Sequence, residues 1–369
     1  MKLNRVELRR ARLPLVSPFR TSFGSQTTKD VLLVRVETPD SEGWGECVTM
    51  EEPLYSSEYT DSAQHVIEAF LLPRLAALGE RLTAAKVAHA LEPVSGHPMA
   101  KAAVELAVLD AELRAAGQPL SERLGSVVDT VPSGVSVGIM DSIPQLLDAV
   151  TSYVEQGYVR IKLKIEPGWD VDAVRAVRER FPDVPLQVDA NTAYTLADAR
   201  HLKRLDDFDL LLIEQPLPED DVRGHAELAK VVRTPICLDE SVTSARAAAD
   251  AIALGACSVI NIKAGRVGGY LEAVRVHDVA VANGIAVWCG GMVETGLGRA
   301  ANIALAALPG FVLPGDTSAS DRFFTQDIIT APFVLENGHV RVPTGPGLGV
   351  TVDQAALDEI TTSTKSITL

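Results

Sequence analysis

From about residue 130 the chain repeats one unit: a short β-branched apolar run, a loop, a helical stretch, then another apolar run. The runs are GVSVGI (134–139), VRIKLKI (159–165), PLQVDA (185–190), LLLIEQ (210–215), PICLDE (235–240), SVINIKA (258–264), IAVWCG (285–290) and FVLPGD (311–316). Helical stretches such as DVDAVRAVRERF, TLADARHLKRL and EDDVRGHAELAKVV lie between them. Strand–helix alternation calls for parallel strands joined by crossover helices. Eight such units predict an α/β fold with a closed (β/α)8-type barrel. An open doubly wound sheet would carry a glycine-rich phosphate loop after an early strand, and no GxGxxG follows any of these runs.

The first 125 residues are patterned differently. KLNRVELRRARLPL, DVLLVRVETP and GWGECVTM have the alternation of an antiparallel sheet, and SEYTDSAQHVIEAFLLPRLAAL and MAKAAVELAVLDAELRAAG are helical. The expected organisation is an N-terminal α+β capping domain over 1–125 and a barrel over 126–320. A turn-rich C-terminal segment, 321–369, then returns to the capping domain.

The 369 residues carry a formal net charge of −15 with no long basic run, which argues against nucleic acid and anionic membranes as partners. No apolar run is long enough to span a bilayer, and the N-terminus has no apolar h-region of a signal peptide. Cys47, Cys237, Cys257 and Cys289 form no CxxC pair, so buried reduced thiols in a cytoplasmic protein are expected.

The polar residues near the ends of the middle runs form a series. Lys162 and Lys164 lie on the second run, Asp189 on the third, Glu214 on the fourth, Asp239 on the fifth and Lys263 on the sixth. From Lys164 the steps are 25, 25, 25 and 24 residues. Each step is one βα unit, so all should sit at similar height at the C-terminal face, where barrels carry their active sites. A single Asp after a strand is most often a helix cap, and a single Lys can snorkel at a rim. Structural ion pairs have no reason to favour the same rim on every successive strand.

Lys162 and Lys164 share one face of their strand, since side chains at i and i+2 point the same way. With backbones about 6–7 Å apart, their ammonium groups repel by roughly 2.5 kcal/mol at an effective dielectric near 20. That predicts a lysine brought about two units down, towards 8, where it can act as a general base. Three carboxylates without a nearby His or Cys make an all-oxygen site for a hard cation, Mg2+ first. None of the seven histidines falls at a strand end, which leaves zinc and a histidine base unsupported. A cation flanked by lysines on opposite sides of a barrel points to abstraction of the α-proton of a small-molecule carboxylate substrate through a metal-stabilised enediolate.

These residues resemble the enolase superfamily in its muconate-lactonizing subgroup. The segments IKLKI, QVDANTAY, LLIEQPL, CLDES and NIKAGRVGG carry the likeness. PFRTSFG, GWGECVTM, PLYSSEY, GVSVGIMD, VWCGGMVETGLGRAANIALA and LPGDTSASDRFF extend it over nearly the whole chain, to the actinobacterial N-acylamino acid racemase / o-succinylbenzoate synthase family. The resemblance implies Asp189, Glu214 and Asp239 as Mg2+ ligands, with Mn2+ or Co2+ able to substitute. It makes Lys164 and Lys263 the acid/base pair, assisted by Lys162. Asn191 would stand beside the metal. Phe19 and Phe23 would lie on a cap loop closing over the substrate, with Met50 and Tyr55 beside them. Ser136, Gly291 and Met292 would line the pocket for the acyl part. A homo-oligomer is expected.

Related families narrow the substrate. The run VWCGGM lacks the late histidine of mandelate-racemase-like members, and GDTSASDR lacks the Asp-x-Asp with which dipeptide epimerases hold an ammonium group. The expectation is an N-acylamino acid racemase (an isomerase), N-succinyl derivatives included, that also has o-succinylbenzoate synthase (lyase) activity. The alternatives are a dedicated synthase of menaquinone biosynthesis, a Schiff-base aldolase, which has no use for three carboxylates, and a non-catalytic paralogue that binds metal and carboxylates.

Overall fold

The computed structural model describes residues 1–369. It opens with an antiparallel meander of β1 (Arg5–Thr21), β2 (Gly24–Glu37) and β3 (Glu42–Cys47). The helix Pro98–Ala116 covers this sheet. Pro98 at its first position and Gly117 in the left-handed conformation just past its end mark its limits. Gly43 and Gly45 let β3 lie flat against it, because a Cβ on either would overlap the helix backbone. The predicted helix around residues 60–76 is broken into Thr60–Val66, a π turn at Ile67–Leu71 and Leu72–Ala76. Pro73 has no N–H for the regular ladder, which accounts for the wider turn before it.

After β4 (Thr130–Pro132) comes the parallel sheet: β5 (Gly134–Val137), β6 (Arg160–Lys164), β7 (Leu186–Asp189), β8 (Ile213–Glu214), β9 (Ile236–Leu238), β10 (Val259–Ile262) and β11 (Ala286–Cys289). They pair in chain order from β5 to β11. The eighth run corrects the expectation of eight regular strands. Residues 311–316 make only single bridges, Phe311 to Val287 and Gly315 to Ser133. Asp316 N donates to Cys289 O at 2.9 Å, and Gly134 N donates to Gly315 O at 2.8 Å. The segment thus touches both edge strands and occupies the eighth position, but Pro314 cannot donate to a ladder and keeps it irregular. The stretch 196–208 is likewise less regular than expected, a short α turn at Ala199–Leu202 between two 3-10 turns.

The C-terminal segment divides. β12 (His339–Arg341) pairs with β4, and β13 (Thr361–Thr368) pairs antiparallel with β1 at the edge of the N-terminal sheet. Two carboxylates of the N-terminal part cap barrel helices, where oriented N–H groups favour negative charge. Glu46 accepts from Thr295 N at 3.0 Å and Gly298 N at 3.0 Å, and Glu105 accepts from Tyr270 N at 2.8 Å and Leu271 N at 3.0 Å. Lys29, buried on β2, donates to Met292 O at 3.0 Å in the loop after β11. No helix is long and apolar enough to cross a membrane, and all four cysteines are buried and unpaired.

Candidate active site

Every residue of β6 is buried. Ile161 and Leu163 belong to the apolar core behind the strand, so alternation turns Lys162 and Lys164 into the barrel. Across the sheet Lys164 pairs with Asp189, and Asp189 with Glu214, so these three are at one level. Glu214 pairs with Cys237 rather than Asp239, which places Asp239 two residues higher. Lys263 follows the last residue of β10. The predicted equal height therefore holds for three residues and then climbs, as the stagger of a barrel requires.

The side chains form one network. Lys164 Nζ lies 2.5 Å from Asp189 Oδ2 and 2.7 Å from Asn191 Oδ1. Lys162 Nζ lies 3.0 Å from Glu214 Oε2, 3.4 Å from Asp189 Oδ2 and 2.6 Å from Asp316 Oδ2. Lys263 Nζ lies 2.7 Å from Asp239 Oδ2 and 2.9 Å from Tyr55 Oη. Burial disfavours the charge on Lys162, but Asp316, Glu214 and Asp189 outweigh it and hold its pKa above the ordinary lysine value. For Lys162 this is the opposite of a lowering by repulsion between the two ammonium groups, because the surrounding carboxylates act more strongly.

The structure leaves the three carboxylates apart from one another. Lys162 bridges Asp189 and Glu214, Lys263 holds Asp239, and no three acidic groups converge on one point. Their chemistry nevertheless suits a hard divalent ion. Asp189, Glu214 and Asp239 are at most 1% exposed, and Asp239 Oδ1 has no hydrogen-bond partner. Burial, together with repulsion from Asp189 and Asp239, raises the pKa of Glu214. An ion between them would relieve both the repulsion and the unpaired oxygen.

Two connected chambers lie above this network. The outer one, about 600 Å3 and partly open to solvent, is bordered by Phe19, Phe23, Met50, Tyr55, Asn191 and Met292. The inner one, about 460 Å3, is bordered by Ser136, Lys162, Asp316, Ser318, Arg322 and Phe323. Lys164, Lys263, Gly291, Val293 and Phe19 border both. The cavity thus brings together every residue expected to line the pocket. The expected Phe19–Phe23 loop is instead the tip of the β1–β2 hairpin, with the turn at Ser22 and Phe23. Ser22 Oγ donates to Ala190 O at 3.1 Å and the Arg20 carbonyl accepts from Ile139 N at 2.9 Å, which pins the tip onto the barrel mouth.

Several contributors were not foreseen. Asn261 Nδ2 donates to Glu214 Oε1 at 2.6 Å, Asn191 Nδ2 donates to Glu240 Oε1 at 2.9 Å, and the Arg266 guanidinium lies 4.6 Å from the centre of the Tyr55 ring. Asn261 and Glu240 were visible as polar residues at strand ends. Arg266 and Arg322 lie beyond the runs and gave no periodic signal.

With this geometry in view, comparisons with known proteins agree on the family. Residues 5–125 match the mandelate racemase / muconate lactonizing enzyme N-terminal domain, and residues 145–356 match the enolase C-terminal domain-like family. The chain belongs to the enolase superfamily, and it is an enzyme of the racemase/lyase type. It is 68% identical over 364 residues to an N-succinylamino acid racemase of Amycolatopsis sp, covering 98% of each chain. It is 48% identical to an o-succinylbenzoate synthase of Geobacillus kaustophilus, covering 96% of this chain and 95% of that one. Among solved structures, an enolase superfamily member from Listeria innocua superposes with a TM-score of 0.95 at 42% identity, covering 100% of this chain and 99% of that one.

Proposed function

We propose that the enzyme racemises N-acylamino acids, N-succinylamino acids among them, by removing and returning the α-proton of a bound carboxylate. One observation carries this reading: Lys164 and Lys263 border the same two chambers from β6 and the end of β10, four positions apart on a ring of eight. A substrate lying between them offers opposite faces of its α-carbon to the two amines. Lys164 takes the proton from one face while Lys263 supplies one to the other, and the roles exchange for the other enantiomer. Asn191 and Asp189 hold the Lys164 nitrogen in place, and Tyr55 and Asp239 hold that of Lys263; the lysine that takes the proton is the neutral amine of the pair and the one that supplies it is the ammonium. Asp189, Glu214 and Asp239 would hold a divalent ion, Mg2+ first. When bound, it supplies positive charge for the negative charge that develops on the substrate carboxylate.

Asp316 supports an acylated rather than a free amine. Its two oxygens accept from Arg160 and Lys162, whose two positive charges already offset the negative charge that would draw in a substrate ammonium. A second reading, dehydration to o-succinylbenzoate, draws on the synthases at 48% identity. It uses the same groups, with Lys164 performing both proton steps and Lys263 acting as a cation.

Deuterium exchange tests the lysine roles. Lys263→Ala should abolish racemisation yet exchange the α-proton of one enantiomer of an N-succinylamino acid with D2O. Lys164→Ala should show the mirrored preference. Equal exchange of both enantiomers by both variants, followed by NMR, would rule out one lysine per face.

A further inference from the structure

Just past β7 the chain makes an unusual turn beside the Lys164 amine. Asn191 and Thr192 both have left-handed backbones, with φ of 42° and 69°. Asparagine tolerates this conformation, but a β-branched threonine rarely adopts it, so the surroundings must hold the turn in place. From within the barrel, Asn191 N donates to Asp189 Oδ1 at 3.0 Å and Thr192 N donates to Gln215 O at 2.9 Å. From the N-terminal domain, Ser22 Oγ shares its single proton between Ala190 O at 3.1 Å and Asn191 O at 3.2 Å. The Asn191 side chain is tied to the site in turn. Its Oδ1 accepts from Lys164 Nζ at 2.7 Å, and its Nδ2 donates to Glu240 Oε1 at 2.9 Å. One hydroxyl at the hairpin tip therefore bears on the backbone of the residue that holds Lys164.

The two lysines meet the N-terminal domain through different segments. The hairpin that carries Ser22 also brings the Phe19 ring to 6.0 Å from Lys164 Nζ. Lys263 is met instead by Tyr55, whose hydroxyl lies at 2.9 Å. The tip makes no hydrogen bond to Lys263, Asp239 or Tyr55. Ser22 borders neither chamber, so its hydroxyl acts through Asn191 and not on the substrate.

We propose that Ser22 is a positioning residue for Lys164. By holding the Ala190 and Asn191 carbonyls it keeps Asn191 Oδ1 against the amine, and so governs proton transfer at one face of the substrate without governing the other. This rests on the reading that each lysine serves one face. Without the hydroxyl the strained turn is free to relax and to carry the Asn191 side chain away from Lys164. Proton transfer depends steeply on the placement of the acid/base group, so a small shift there is enough to be read.

The test places Ser22→Ala in each single-lysine background and follows deuterium incorporation from D2O into N-succinylphenylalanine by NMR. Face-selective exchange by Lys263→Ala and Lys164→Ala alone tests the underlying reading; the effect of Ser22→Ala on each tests the positioning role. In Lys263→Ala, where Lys164 works alone, Ser22→Ala should slow exchange by roughly fivefold or more, the effect of about one hydrogen bond. Ser22→Thr, which keeps a hydroxyl, should recover most of it. In Lys164→Ala the same change should leave exchange within about twofold, and that residual exchange shows that the variant is folded. An equal decline in both backgrounds would overturn the proposal, since it would mean that the tip only helps to close the cavity. So would unaltered exchange in the Lys263→Ala background. A second measurement does not depend on turnover: backbone hydrogen exchange at residues 190–194, read by mass spectrometry, should quicken in Ser22→Ala, and unchanged protection there would equally refute a role for the hydroxyl in holding the turn.

Discussion

Tyr55 lies on the capping side of the cavity and Lys263 at the end of a barrel strand, yet their side chains meet at 2.9 Å. Tyr55 Oη also lies 3.2 Å from Asp239 Oδ2. The contact makes the position of the N-terminal domain matter to the amine at one face of the substrate. Tyr55→Phe removes the hydroxyl and keeps the ring beside Phe23 and Arg266. A hydrogen bond to a charged group contributes about 1.5–3 kcal/mol, so racemisation should decline by roughly ten- to a hundredfold with little change in thermal midpoint. Retention of full kcat/KM in Tyr55→Phe would show that Lys263 is positioned without its help.

Removal of the ion should be equally informative. Exhaustive chelation is expected to abolish activity, and Mg2+, Mn2+ or Co2+ to restore it. Glu214→Gln keeps the size of the side chain and removes a ligand charge. Mn2+ affinity, read by calorimetry independently of turnover, should weaken by at least tenfold in this variant. Full activity after chelation, or unchanged Mn2+ affinity, would discard the three-carboxylate assignment.

The series Lys164, Asp189, Glu214, Asp239 and Lys263 was legible because one βα unit sets its spacing, and the alternation of a strand dictates which way each side chain points. The same logic failed at Phe311–Asp316. The apolar run is there, but Pro314 and the flanking glycines deny it a ladder. It also failed for the charge of Lys162, since pairwise repulsion along one strand is local whereas Asp316 is contributed by a segment about 150 residues away. Arg322 reaches the cavity from a short 3-10 turn outside the runs, where no period points to it, so only the folded chain brings it there; Tyr55 follows no period either, and the family resemblance alone placed it at the pocket.

Asp316 is the most heavily used carboxylate at the eighth position, since it accepts from Arg160 at 2.9 Å and from Lys162 at 2.6 Å. Both cations are buried, and they hold its pKa well below the usual carboxylate range despite the opposing effect of burial. Asp316→Ala strands the buried Arg160 guanidinium, whose only acidic partner it is, and leaves Lys162 with Glu214 and Asp189, a change that typically costs about 3–5 kcal/mol. A large drop in the thermal midpoint should follow. A variant as stable as the parent would mean that water or another acid takes over the pairing.

Glu105 links stability to pH. Burial raises its pKa from the ordinary 4.5 to about 7, against the two backbone N–H groups that favour its charge. Arg123 also lowers it and Glu272 raises it, both more weakly. A raised carboxyl pKa means the folded state prefers the protonated form. The stability it contributes is therefore full below pH 4.5 and is lost as pH rises through about 7. At 1.36 kcal/mol per unit the swing is on the order of 3 kcal/mol. Glu105→Gln cannot ionise, but its amide NH2 faces one of the N–H groups it should accept from, a loss of about 1–3 kcal/mol. The variant should thus be less stable than the parent at pH 5. By pH 8 the gap should narrow or invert, because only the parent then bears the cost of a buried charge. Urea unfolding of both proteins at the two pH values measures this directly, and a gap that stays constant or widens towards pH 8 would mean that Glu105 ionises as freely in the folded protein as in the unfolded chain.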